Sequence, residues 1–169
     1  MVSGGSRESK RQKLCENVEL ALELDTPQLY EAWLREPMET FAEKYWKKWG
    51  LQEHPIAKKP VERVYIGNTF CPHLFPENDI LHAMLEKAKI EGISVTLTFS
   101  WIKESQIDSI RELLKFLEQR KEYMPNEIAV NDWGTAHLIR KWKQETQNCV
   151  KLNLGILLNR YKRTIGPVI

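Results

Sequence analysis

The 169-residue chain lacks most of the features that would assign a function directly. Its three cysteines, Cys15, Cys71 and Cys149, form neither a CxxC pair nor a disulfide framework, and such usage is typical of a reducing cytoplasm. No apolar run is long enough to cross a membrane, and the polar start lacks the apolar segment of a secretory signal. We therefore predict a cytoplasmic protein, with a flexible tail over residues 1–16 and one domain over residues 17–169.

Several sequence motifs of catalysis are also missing. Neither GxGxxG nor GxxxxGK[ST] occurs, so the sequence offers no glycine-rich phosphate loop. The absence of GxSxG and HExxH removes support for a serine hydrolase and for a zinc protease of these types.

What the chain does contain is a repeated alternation of short apolar strands and amphipathic helices. The strands are predicted over residues 18–24, 64–66, 95–99, 128–130 and 150–154. Helices are predicted over residues 27–50, 77–91, 107–117 and 133–142. Thr26 is expected to cap the first helix, Pro37 to kink or split it, and Gly92 to end the second.

Five strands separated by helices predict an α/β fold with a parallel βα series, because parallel neighbours need crossover connections. Two architectures fit: a partial TIM-barrel-like domain and an open doubly wound sheet. The length alone suits the open sheet, since a full barrel needs roughly 250 residues. In a partial barrel we expect the edges and inner face to remain apolar, so that the chain would dimerise or bind a partner.

Polar residues that follow strands are the candidates for a functional site, because ligands gather at the carboxyl ends of strands in α/β folds. Asn68 and Cys71 follow the second strand, and Asn131 and Asp132 follow the fourth. We expect these four residues to converge, with Asn131 and Asp132 in catalysis and Asn68 in substrate binding. Cys71 could instead be a packed thiol, and Asp132 could simply cap the following helix.

Trp101 follows the third strand and is a second candidate for substrate binding, since its ring could stack on a planar ligand or else close the core. The last third of the chain is basic. Its cationic residues are Arg140, Lys141, Lys143, Lys151, Arg160, Lys162 and Arg163. Such a cluster could contact nucleic-acid phosphates, but with a net charge of only +2 a solvated helix face explains it better.

Four segments carry a resemblance to a known family: VYIGNTFC (residues 64–71), LEKAKIEG (85–92), SVTLTFS (94–100) and EIAVNDWG (127–134). Together they resemble the amino-terminal part of the collagenase-like peptidase family. Within that family, the chain is most similar to the iron-sulfur proteins of oxygen-independent ubiquinone hydroxylation, the UbiU and UbiV type, with YegQ-type RNA-modifying proteins as cousins. The resemblance implies a barrel-like βα fold over about residues 18 to 160.

The resemblance also implies that Cys71 is a metal ligand, because it matches the position of the family's first cluster-binding cysteine. A 4Fe-4S cluster takes four thiolates, and Cys15 and Cys149 should lie at the opposite end of the sheet, so this chain alone should not complete one. The implied function is part of a hydroxylation enzyme that is incomplete or needs a partner protein or a missing carboxyl-terminal half. The alternative is a non-catalytic interaction module with a βα fold.

Overall fold

A computed structural model describes residues 18–158 of the chain as five strands alternating with helices. The strands are β1 (Ala21–Leu24), β2 (Arg63–Gly67), β3 (Ser94–Phe99), β4 (Glu127–Val130) and β5 (Lys151–Leu154). All four neighbouring pairs are parallel, and the strand order is β1-β2-β3-β4-β5. The predicted parallel βα series is therefore confirmed.

The strand order narrows the choice of architecture. Each connection moves one strand further in the same direction, and right-handed crossovers of this kind place every helix on one side of the sheet. A doubly wound sheet instead reverses its strand order at a switch point. The single direction of winding is that of a TIM barrel, so the fold is a partial barrel-like domain.

Within residues 18–158, five α-helices accompany the strands: α1 (Pro27–Arg35), α2 (Met38–Lys48), α3 (Asn78–Glu91), α4 (Ile107–Gln119) and α5 (Trp133–Thr146). Pro37 splits the first predicted helix into α1 and α2, because proline cannot donate a backbone hydrogen bond within a helix. Gly92 ends α3 in the left-handed conformation, with φ of 68°. Thr26 occupies the cap position of α1, but its side chain makes no capping hydrogen bond.

The hydrophobic core lies between the helices and one face of the sheet. Alternate strand residues point into it, and Leu24, Ile66, Leu97 and Ile128 are fully buried there. Helix residues spaced three or four apart cover them, as predicted from the sequence.

The other face of the sheet, here called the polar face, carries the remaining strand side chains. The expectation of an apolar inner face is wrong. Glu127 Oε2 accepts hydrogen bonds from Thr96 Oγ1 at 3.3 Å and Asn153 Nδ2 at 3.0 Å, and it lies 3.6 Å from Arg63 Nη1. Arg63 Nε also pairs with Glu19 Oε1 at 3.0 Å. Because these partly buried charges have partners, the polar face needs no apolar cover to be stable.

Across residues 18–158, no helix is long and apolar enough to cross a membrane. The predicted tail over residues 1–16, and the basic residues Arg160, Lys162 and Arg163, lie outside the described residues.

Candidate functional site

The candidate residues lie on the edge of the sheet where the parallel strands end. We call this edge the carboxyl rim and define it by the connections 25–26, 68–77, 100–106 and 131–132, together with the ends of the helices that meet them. The opposite edge, where the strands begin, is called the amino-terminal end. Each predicted site residue is on the rim, as its position after a strand requires.

Asn68 organises the connection that follows β2. Its Oδ1 accepts backbone hydrogen bonds from Phe70 and Cys71, both at 2.8 Å. Its Nδ2 donates to the carbonyl of Asp25 at 3.2 Å, which ties the ends of β1 and β2 together. The side chain thus shapes the loop, a common role for asparagine in turns.

Cys71 is half-buried at the start of a short 3₁₀ turn, Pro72–Leu74. Tyr30 holds this turn in place, since its hydroxyl donates to the carbonyl of Leu74 at 2.7 Å. Burial, and then the nearby charge of Asp25, raise the pKa of Tyr30 well above its ordinary value, so the phenol stays protonated as a donor.

The described residues around Cys71 do not by themselves complete an iron-sulfur cluster. Cys149 is exposed and precedes β5, which places it at the amino-terminal end as predicted, while Cys15 lies outside the described residues. From Val18 to Leu158, no group of three or more His, Cys, Asp or Glu side chains could hold a metal ion. The described part of the rim therefore offers one thiol, whereas a 4Fe-4S cluster takes four ligands.

Asn131 is 4% exposed and joins three strand ends. Its Nδ2 donates to the carbonyl of Phe99 at 2.8 Å, and its Oδ1 accepts from the backbone of Leu157 at 3.1 Å. A Cβ at Gly155 would lie 2.2 Å from Asn131 Oδ1, so only glycine permits this close approach. Asn131 therefore holds the ends of neighbouring strands together.

Asp132 caps α5, as the alternative interpretation of the sequence predicts. Its Oδ1 accepts from the backbone of Thr135 at 2.8 Å, and its Oδ2 accepts from the Thr135 hydroxyl at 2.6 Å. Both carboxylate oxygens are engaged in the cap, which is the arrangement that stabilises helix starts.

The expected convergence is only partial. Asn68 and Asn131 share the rim, but β3 lies between their strands, which separates the strand ends by about 10 Å at the usual strand spacing. Their hydrogen bonds go to different loops, and within residues 18–158 no hydrogen bond joins one to the other.

The rim carries exposed aromatic side chains, of which the sequence predicts only Trp101 as a candidate for ligand contact. Among residues 18–158, all four exposed phenylalanine and tryptophan side chains lie at this end of the sheet. Their exposed fractions are 60% for Trp49, 61% for Phe70, 44% for Trp101 and 67% for Trp133. A signal was present, since Phe70, Trp101 and Trp133 each come within three residues of a strand end.

A cleft of about 610 Å³ lies at the β1 end of the rim. Glu23, Asp25, Tyr45 and Trp49 are among its lining residues. Burial, and then the charge of Asp25, raise the pKa of Glu23. The pKa of Tyr45 is also raised, by burial first and then by the charges of Asp25 and Glu23.

Comparisons with protein-family models, with curated proteins and with solved structures gave no significant match to this chain. Fold and site together define a class only: a partial βα barrel with an aromatic carboxyl rim.

Proposed function

We propose that the chain is a non-catalytic interaction module that binds a partner protein through its carboxyl rim. The observation that carries the proposal is the exposure of Trp49, Phe70, Trp101 and Trp133 at one end of the sheet. Exposed aromatic side chains lose little conformational freedom on binding and bury large areas, so they are enriched in the centres of protein interfaces.

The polar side chains of the rim support binding over catalysis. Asn68, Asn131 and Asp132 direct their hydrogen bonds to the backbone or to a neighbouring hydroxyl. A general base must reach a substrate proton, and a carboxylate whose two oxygens hold a helix cap is poorly placed for that task.

The charges of the rim favour a protein over a membrane surface. The four connections of the rim carry the carboxylates Asp25, Glu77, Glu104 and Asp132 but a single lysine, Lys103. Two further lysines, Lys47 and Lys48, lie beside Trp49 at the end of α2. Cytoplasmic membrane surfaces are anionic and attract basic segments, so the four acidic connections would be repelled.

A second candidate function follows from Cys71. Its thiol lies on the rim at the position that the family resemblance assigns to a cluster ligand. An iron-sulfur enzyme component of oxygen-independent hydroxylation would need three further thiolates from a partner protein or from a missing half. Cys71→Ser separates the two proposals: partner binding should be unchanged if the chain is an interaction module, and iron retention by the complex should be lost if Cys71 is a ligand.

The test of the interaction module compares two alanine variants for binding to a partner isolated from native extract. One is Phe70→Ala/Trp101→Ala/Trp133→Ala on the rim. The matched control is Val18→Ala/Ile90→Ala, which removes exposed apolar side chains, 61% and 78% exposed, from the amino-terminal end. With purified components, the rim variant should bind at least about 100-fold more weakly, since interface aromatics each contribute about 1–2 kcal/mol or more.

The control variant should retain full affinity. Equal weakening by both variants, or unchanged binding by the rim variant, would contradict the proposal. Flotation of the protein with anionic vesicles, lost in the rim variant, would assign the rim to a membrane instead.

A further inference from the structure

The connection between β2 and α3 is tied to the rest of the protein at its start. Asn68 Oδ1 accepts hydrogen bonds from the backbone N–H groups of Phe70 and Cys71, both at 2.8 Å. Asn68 Nδ2 donates to the carbonyl of Asp25 at 3.2 Å. A single half-buried side chain therefore sets the course of the loop and attaches it to the end of β1.

The same connection is also tied down near its end. The Tyr30 hydroxyl donates to the carbonyl of Leu74 at 2.7 Å. The ring of Phe75 stacks on the buried ring of Phe99, with 4.8 Å between the ring centres and 21° between the planes. Because loops usually move more than the elements they connect, a loop attached at both ends is held more firmly than most.

Between these attachments, Phe70 leaves its ring in solvent. Its side chain is 61% exposed, and it is the one large apolar side chain of this connection that is exposed. Within residues 18–158 its ring has no stacking or cation partner, whereas the ring centres of Trp101 and Trp49 lie 5.6 and 5.8 Å from lysine ammonium groups. The position of Phe70 therefore depends on its backbone, and that backbone is bonded to Asn68.

Building on the proposed function, we infer that Asn68 is a positioning residue, which holds Phe70 in place as a preformed anchor for the partner protein. Ordering a loop or a side chain at an interface costs free energy when it happens on binding. Asn68 makes that cost part of folding, because its three hydrogen bonds fix the loop before the partner arrives. Rigid aromatic side chains are typical anchors of tight interfaces. Partner affinity should therefore depend on Asn68, and only through Phe70.

The first test uses the free protein and follows amide hydrogen exchange by NMR. Asn68→Ala should speed exchange at the Phe70 and Cys71 amides by about fivefold, the factor expected when each loses one hydrogen bond. Asn68→Asp keeps the acceptor oxygens and should keep exchange slow. The matched control is Asn148→Ala, which removes an asparagine that accepts from the backbone of Val150 at the amino-terminal end. The control should leave both exchange rates unchanged.

The second test is a double-mutant cycle on the affinity for the partner that the rim binds. Asn68→Ala should weaken binding by about three- to tenfold, the range that corresponds to ordering one side chain on binding. In the Phe70→Ala background the same change should have no further effect, because the anchor that Asn68 positions is gone. Asn68→Asp should restore the affinity. If Asn68→Ala does not fold, Tyr30→Phe removes the other hydrogen bond that holds the loop and is used in the same cycle.

Unchanged exchange in Asn68→Ala would overturn the inference, and so would equal weakening of partner binding by Asn68→Ala with and without Phe70. The proposed function fails in a different way. Unchanged partner binding by Phe70→Ala/Trp101→Ala/Trp133→Ala would overturn both proposals, whereas loss of binding in that variant combined with additive losses in the cycle would overturn the role of Asn68 alone.

Discussion

The carboxyl rim and the amino-terminal end of the sheet differ in the apolar side chains that they expose. The carboxyl end exposes four aromatic side chains, Trp49, Phe70, Trp101 and Trp133, together with the aliphatic Leu154 and Ile156 at the end of β5. The amino-terminal end exposes the aliphatic Val18 and Ile90. Both ends consist of surface loops, and at both ends the backbone N–H and C=O groups need hydrogen-bond partners. Folding therefore does not require aromatics at one end only, and their distribution points to recognition.

The polar residues of the two ends differ as well. Near the amino-terminal half of the sheet, Arg63 and Glu127 form a network of side chains across the polar face. On the rim, Asn68 and Asn131 bond mainly to the backbone. Polar residues that follow strands can thus hold the loops in place through hydrogen bonds, while the neighbouring aromatic side chains are the ones available for binding.

The largest expected effect compares two tryptophans of the same helix. Trp142 is 5% exposed and donates from Nε1 to Glu118 at 2.6 Å, whereas Trp133 is 67% exposed. Trp142→Ala should lower the free energy of unfolding by about 3–5 kcal/mol, since it leaves a cavity in the core. Trp133→Ala should change it by less than about 0.5 kcal/mol, as is usual for surface positions. Urea unfolding measures both, and a large loss for Trp133→Ala would show that the rim aromatics serve stability.

The next effect contrasts two glycines at opposite ends of the sheet. Gly67 lies at the rim with φ of 113°, and a Cβ there would lie 2.2 Å from the carbonyl oxygen of Thr98. Gly67→Ala should lower the free energy of unfolding by more than about 3 kcal/mol. Alanine is strained at this φ, and the backbone at Thr98 would also have to move to make room for the Cβ. Gly92, with φ of 68° and open space around it, is the control, and Gly92→Ala should cost about 1–2 kcal/mol. Thermal unfolding shows which of the two variants loses more stability, and equal losses would contradict the predicted clash at Gly67.

A smaller effect tests the role of Asp132. Asp132→Ala should destabilise the protein by about 1 kcal/mol, because α5 loses its cap, whereas Asp132→Asn should cost only a few tenths of a kcal/mol, since asparagine caps as well. Chemical unfolding provides the measurement. Equal losses in the two variants would mean that the negative charge, and not the cap, is the property that matters.

The smallest effect concerns Glu23 and pH. Burial and Asp25 raise its pKa, so the folded chain holds this proton more tightly than the unfolded chain. Ionised Glu23 therefore opposes folding above the ordinary glutamate pKa, and Glu23→Gln should make the protein slightly more stable at pH 7. The gain should disappear at pH 3, where both states are protonated. Unfolding curves at the two pH values measure this, with Glu86→Gln as a control that should show no such gain.

Much of the fold follows from local patterns in the sequence. The alternation that ends at Leu24 and at Phe99 predicts strands, and Pro37 and Gly92 mark helix boundaries that the structure keeps. β1 begins at Ala21 instead of residue 18, because strand length depends on how much of the neighbouring strand is available for pairing. The sequence allows two roles for Asp132, since an aspartate before a helix looks the same in sequence whether it caps or reacts, and the structure shows the cap.

Local sequence patterns are enough to predict the parallel βα series, because hydrophobic periodicity and turn residues act over a few neighbouring positions. Three features arise from the folded arrangement instead: the direction of winding, the partners of Arg63 and Glu127, and the placement of Trp49 beside β1. These depend on contacts between residues tens of positions apart, whose geometry no local pattern encodes. The collection of aromatic side chains on one rim is a property of that long-range arrangement.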